Sequence, residues 1–229
     1  MTLHSVPSLP AKARTALIAH LLRWNHHNAA RHCLLELVTT HSHLVTVHDN
    51  LARAHMALGD PERALEVMQR RQAIKISNTS RALEARVRLA AGDQPCAEAI
   101  VQQLAAEHPS MLLTWSLRAD VRLAAGDLDG AEAAWRKRES LRPGAVANTL
   151  GLARVCQAGG DNDKALLWAR ATLSRARRDE KQPSVEVLRL LETLYRATGQ
   201  TAQAKATTAT LQERQEQEIE DLRRALHKQ

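Results

Sequence analysis

Residues 112–143 read LLTWSLRADVRLAAGDLDGAEAAWRKRESLRP. The turn at their centre, Ala125-Gly126-Asp127, has close copies at Leu58-Gly59-Asp60 and Ala91-Gly92-Asp93. Gly159-Gly160-Asp161 is a fourth copy and Thr198-Gly199-Gln200 a fifth. Gly59, Gly92, Gly126, Gly160 and Gly199 fall 33, 34, 34 and 39 residues apart. Asn25, 34 residues before Gly59, holds the same place in an earlier, degenerate copy. Five residues after each of these positions stands an alanine: Ala30, Ala64, Ala97, Ala131, Ala165 and Ala204. A fixed period of this length marks a chain of stacked units that bury their apolar faces on one another.

The spacing has a physical reading. A glycine adopts positive φ and ends one helix. The Asp behind it accepts a backbone N–H bond and caps the next helix. In Asp60-Pro61-Glu62 the cap is followed by proline at the first helical position, where no donor is lost. The alanine five residues on lies about one turn into the second helix and lets two helices approach closely. Ala52, Ala85, Ala119 and Ala153, seven residues before their glycines, are the matching small residues of the first helix. Each unit is therefore expected to be a helix–turn–helix pair of about 34 residues.

Composition agrees. Of 229 residues, 44% are hydrophobic and 25% charged, the balance of a folded chain rather than a disordered one. Four Trp, one Tyr and no Phe argue against a β-sandwich and for thin helices packed through Ala, Leu and Val. No apolar run approaches the roughly 18 residues that span a bilayer. Cys33, Cys96 and Cys156 are odd in number and widely spaced, which fits a reducing compartment better than a disulfide framework. The stretch Ala16 to Leu22 is a poor signal core, interrupted by His20 and followed by Arg23, Trp24 and Asn25. The expected location is cytoplasmic. A net charge of +7 keeps acidic partners in view.

These residues resemble the tetratricopeptide repeat, whose 34-residue pattern sets bulky, small and Pro places at fixed offsets. Trp115, Ala119, Gly126, Ala131, Trp135 and Pro143 occupy the family's places in the best copy, and Pro109 closes the copy before it. Arg118 stands where the family usually has Leu, and Arg88 and Arg122 where it has an aromatic. The first copy lacks the Gly, and the last has Glu192 at the first small place. The resemblance implies an all-α, right-handed α-solenoid of about six helix–turn–helix repeats with a long C-terminal helix. The corresponding organisation is an N-terminal arm over 1–10, a repeat array over 11–210 and a capping or partner helix over 211–229. A longer second helix and loop accommodate an insertion of about five residues within 174–183. On the last helix Leu211, Ile219, Leu222 and Leu226 lie mostly on one face, and Glu220 and Arg224 form an i,i+4 pair. That face suits a cap on the last repeat or a short coiled-coil contact, including one between two copies of the chain.

In the family the first helices of the stacked pairs line a concave groove. Six residues before each glycine come Arg53, Arg86, Asp120, Arg154 and Thr193; three before come Met56, Leu89, Leu123, Gln157 and Arg196; ten before come Asp49, Ala82, Ser116, Leu150 and Arg189. The resemblance thus implies an arginine ladder beside an aliphatic strip, with Asp49, Asn50, Arg53, Met56, Arg86, Leu89, Leu123, Arg154, Arg189 and Arg196 as candidate peptide-binding residues. Guanidinium forks hold carboxylates bidentately, so the expected ligand is a protein segment carrying acidic and aliphatic residues. The competing reading pairs these arginines with acidic residues of neighbouring helices. Some family members clamp a peptide's C-terminal carboxylate with Lys and Asn; Asn50 and Arg53 fit, but the matching lysines are missing.

Other chemistry finds less support. Nine of eleven histidines fall within the first 55 residues, yet no His-Glu-x-x-His or paired CxxC accompanies them, so no metal site is expected. Arg175, Arg177, Arg178 and Lys181 form the densest basic cluster, diluted by Asp179 and Glu180. Phosphate binding needs basic residues along one track, and single strands add stacking aromatics; Trp115 and Trp135 sit at core places. RNA or DNA binding is therefore the weaker alternative. No nucleophile elbow, phosphate loop or dinucleotide fingerprint is present. No catalytic residues and no cofactors are expected, and the reading is a non-enzymatic adaptor.

Overall fold

The structure, a computed structural model, describes residues 11–41, 43–72, 77–178 and 183–227. The 1–10 arm, residues 179–182 of the basic loop, and the side chains of Arg177, Leu222 and Leu226 lie outside that description. Every regular element among the described residues is an α-helix. The helices follow as α1 (Ala11–Arg23), α2 (His27–Thr40), α3 (Val45–Ala57), α4 (Pro61–Gln72), α5 (Asn78–Ala90) and α6 (Gln94–Glu107). They continue as α7 (Leu112–Ala124), α8 (Leu128–Leu141), α9 (Val146–Ala158), α10 (Asn162–Arg178), α11 (Val185–Ala197) and α12 (Thr201–His227). This gives six consecutive pairs, the helical-repeat architecture of an α-solenoid. The insertion lengthens α10 to 17 residues, and α12 runs unbroken for 27 residues through the boundary expected near 210.

The turns obey one rule. Gly59, Gly92, Gly126, Gly160 and Gly199 have φ between 72° and 79°, and Asn25 joins them at 62°. Asparagine tolerates the left-handed region better than other side chains, which is why the degenerate copy keeps the turn. At Gly126 a Cβ would meet nothing within 4 Å, so the demand is torsional rather than spatial. Each turn closes with a bond from the following amide to the carbonyl five residues back: His26 to Leu21, Asp60 to His55, Asp93 to Arg88, Asp127 to Arg122, Asp161 to Cys156 and Gln200 to Tyr195, all at 2.8–3.0 Å. That is the Schellman arrangement, which satisfies carbonyls orphaned at a helix end. The aspartates then cap the next helix. Asp60, Asp93, Asp127 and Asp161 accept from the amides of Arg63, Cys96, Gly130 and Lys164 at 3.4, 3.3, 2.8 and 2.9 Å.

The packing follows from the small residues. Ala30, Ala64, Ala97, Ala131 and Ala165 are completely buried and Ala204 nearly so; Ala52, Ala85, Ala119 and Ala153 are at most 1% exposed. The chain divides into two compact units, one of residues 1–100 with 215–229 and one of residues 101–214. In the first, Ile18, Cys33, Leu34, Leu51, Met68, Leu83 and Val87 form a continuous core. In the second, one core gathers Ala131, Trp135, Leu152 and Val155, and another Leu166, Val187, Leu191 and Leu194. Gly151 is fixed by space here, because a Cβ there would fall 2.1 Å from the Trp135 ring.

Two places depart from the expected core. Trp115 is only half-buried: its indole donates to the Pro109 carbonyl at 2.8 Å, and Arg118 lies 5.6 Å and Lys137 6.0 Å from the ring centre. Arg88 and Arg122, at aromatic places of the family, instead reach across their turns to Asp93 at 3.0 Å and Asp127 at 3.3 Å. His55 lies in the equivalent place, 3.5 Å from Asp60. At Arg88 and Arg122 an ion pair thus replaces ring packing as the side-chain tie across the turn.

Two buried histidines in the first unit make folding sensitive to acid. Burial pulls the pKa of His55 below its ordinary 6.5, against Asp60, which raises it, with Arg31 and Arg63 assisting. Burial does the same for His20, against the Glu218 carboxylate, with His26 and Arg23 assisting. The unfolded chain takes up these protons at higher pH than the folded one, so their stability contribution is complete above 6.5 and is lost as pH falls below it.

The close approach at the alanines and the burial of the histidines can each be tested. Ala131→Leu should destabilise the chain by about 1–3 kcal/mol through overpacking, read as a lowered melting temperature; an unchanged value would refute the close approach at Ala131. The melting temperature should drop as pH is lowered from about 7 to about 5, and the double variant His20→Gln, His55→Gln should flatten that slope.

Candidate functional site

The candidate groove residues lie on the first helices of the pairs. In the first unit Asp49, Asn50, Arg53 and Met56 belong to α3 and Arg86 and Leu89 to α5, and these two helices touch. In the second unit Leu123 lies on α7, Arg154 on α9, and Arg189 and Arg196 on α11, with α7 touching α9. Arg53, Arg154 and Arg196 are exposed, while Arg86 and Arg189 are half-buried. Met56 packs against the first unit's core and Leu123 against the second's, leaving part of each side chain at the surface. Among the flanking positions, Ala82 and Leu150 are buried and form part of the core instead.

Several of these groups are engaged within the chain. Asp49 accepts from the Arg71 Nε at 2.7 Å, and Arg71 is only 2% exposed, so this carboxylate ties α3 to α4. Arg53 donates to the Asn50 side chain at 3.0 Å. Arg154 pairs with Glu186 at the start of α11, joining the first helices of neighbouring pairs. Arg196 donates to Glu192 at 2.7 Å, and the Thr208 hydroxyl donates to the same carboxylate. The pairs of Arg53, Arg154 and Arg196 are exposed on the arginine side, whereas the Asp49–Arg71 pair is buried there.

A second polar arrangement was not legible in the sequence. Asn148, 1% exposed at the start of α9, accepts from Arg138 and donates to Glu139 and to the Arg142 carbonyl. Glu139 also accepts from the Gly144 amide at 3.0 Å and from Arg175 at 3.4 Å. Burial alone would raise the Glu139 carboxyl, but these donors and the Arg175 charge outweigh it and hold it below the ordinary range. Beside this network a cleft of about 390 Å³ opens between α8, α9 and α10, with Leu152 and Trp168 among its walls. Arg175, which the sequence offers only as part of the basic cluster, here serves an internal carboxylate. Among the described residues no group of three or more His, Cys, Asp or Glu is placed to hold a metal ion. None of their helices is long and apolar enough to cross a membrane.

Comparison with known proteins bears on the fold. The tetratricopeptide repeat family model matches residues 45–70 and 112–137, the α3/α4 and α7/α8 pairs. A thermophilic TPR protein from Thermus thermophilus is similar in structure, with a TM-score of 0.61 and 21% identity over 81% of this chain and 98% of that one. A tetratricopeptide repeat protein from Parabacteroides merdae gives 0.64 and 15% over 94% and 86%. The type IV pilus biogenesis factor PilW gives 0.53 and 16% over 90% and 94%. No curated protein sequence is significantly similar to the chain. Repeated Schellman turns, paired alanines and six helix pairs thus coincide with the family's own repeat pattern, and the fold is that of the tetratricopeptide repeat proteins, whose family model matches two of the six pairs.

Proposed function

We propose that the chain is a non-enzymatic adaptor that holds a partner-protein segment, acidic and aliphatic in character, on the first helices of its repeats. The observation that carries this reading is the composition of those helices. In the first unit Arg53 and Arg86 accompany Met56 and Leu89; in the second, Arg154, Arg189 and Arg196 accompany Leu123. A guanidinium fork orients an incoming carboxylate, and a half-buried aliphatic side chain accepts apolar area next to it. Repeat proteins of this family generally mediate protein–protein interaction, which supports the same class of function.

The internal partners of these arginines do not stand against it. Exposed ion pairs contribute only about 0–1 kcal/mol, so exchanging Glu186 for a ligand carboxylate at Arg154 costs little. Asp49 is different. Its bond to buried Arg71 is structural, and it takes no part in the proposed contact; we assign it to holding α3 on α4.

Reversing Arg53, Arg86 and Arg154 together to Glu should leave the helical circular dichroism intact and abolish partner capture. The check is co-purification from the native cell with nuclease treatment, comparing wild type with the triple variant by mass spectrometry. Proteins lost only in the variant support the reading. Identical partners in both refute it, and partners released by nuclease alone favour nucleic-acid binding instead.

A further inference from the structure

The end of α1 and the turn behind it form a built carboxylate seat. The Glu218 carboxylate of α12 receives the Arg23 Nη1 at 2.9 Å and the Trp24 indole Nε1 at 2.9 Å, and the His20 ring lies 3.5 Å away. All three groups come from the five residues 20–24, so the donors of the seat belong to the first repeat alone. His20 and Trp24 are each only 8% exposed.

The resident is held lightly by comparison. From Gln212 to Asp221 the α12 side chains are exposed or half-buried, with none fully enclosed. Among these described residues the carboxylate's contact rests on charge-assisted hydrogen bonds. Its release would open an indole and an imidazole, a surface that needs a partner.

Charge defines what that partner carries. Residues 1–35 contain Lys12, Arg14, Arg23 and Arg31 and no Asp or Glu; the first acidic residue of the chain is Glu36. Residues 212–221 carry Glu213, Glu216, Glu218, Glu220 and Asp221 against Arg214. The acidic stretch of α12 thus meets, at Glu218, the acid-free segment that carries His20, Arg23 and Trp24. We propose that the seat formed by His20, Arg23 and Trp24 is a receptor for a glutamate presented on an acidic helix of a partner protein, and that α12 occupies it until such a helix displaces it. This site is separate from the arginine-bearing first helices α3 to α11, and it is probed without altering them.

The test uses the full chain and a fluorescent peptide of its own residues 211–224, LQERQEQEIEDLRR, as the acidic helix. Glu218→Gln loosens the resident, so this variant should bind the peptide about tenfold more tightly than wild type, because more of the seat is open. Its tryptophan emission should also become more accessible to acrylamide. Arg23→Ala, at a half-exposed side chain and added to Glu218→Gln, should remove peptide binding while leaving circular dichroism unchanged. A peptide with Gln at the Glu218 position should fail to bind. Equal peptide affinity for wild type and Glu218→Gln, or none for either, would overturn the proposal. So would binding that survives Arg23→Ala, or displacement of the peptide by a single-stranded oligonucleotide as readily as by unlabelled peptide.

Discussion

One backbone torsion recurs through this protein and everything else is arranged around it. A residue with positive φ ends the first helix of every pair, and the amide behind it closes the same hydrogen bond each time. The turn fixes the angle at which the second helix leaves, and that angle places the alanines of the second helices, with those of α3, α5, α7 and α9, in close contact. Complete burial of those alanines follows. A side chain even a few methylenes larger would hold the helices apart and open the contacts between successive pairs, on which repeat proteins depend for stability.

Around that frame the polar residues take two different roles. Some are structural: Asp49 on buried Arg71, the Asn148 network, and the arginines that replace aromatic rings beside Asp93 and Asp127. At buried Arg71 and Asn148 a missing partner leaves a poorly solvated polar group and is costly. Others, at Arg53, Arg154 and Arg196, lie in solvent, where the same kind of contact is weak and exchangeable. The distinction between a structural arginine and a recognition arginine is thus one of burial, not of residue type. Glu139, in the second unit, is distinguished by the number of donors that hold it: Asn148, the Gly144 amide and Arg175.

The N-terminal repeat illustrates how a degenerate copy acquires a use of its own. Asn25 preserves the turn at the cost of some strain, and the residues just before it carry the groups that hold Glu218. Histidine enrichment in this region gives buried imidazoles at positions 20 and 55, with an acid sensitivity set by desolvation.

The sequence by itself determined the repeat period, the six turns, the capping aspartates and the close-packed alanines. These are local demands, expressed over a few residues and tied to residue types that tolerate few substitutes. It also identified which residues fall on the first helices. Tertiary structure alone decided how those residues are used. Asp49 meets Arg71 over 22 positions, Arg154 meets Glu186 over 32, and Trp24 meets Glu218 over 194. Long charged side chains choose partners by the distance and burial that helix packing creates, and no spacing rule along the chain encodes that choice. Trp115 shows the same limit for an apolar residue: its repeat position is plain from the sequence, but its half-burial depends on what the neighbouring elements leave uncovered.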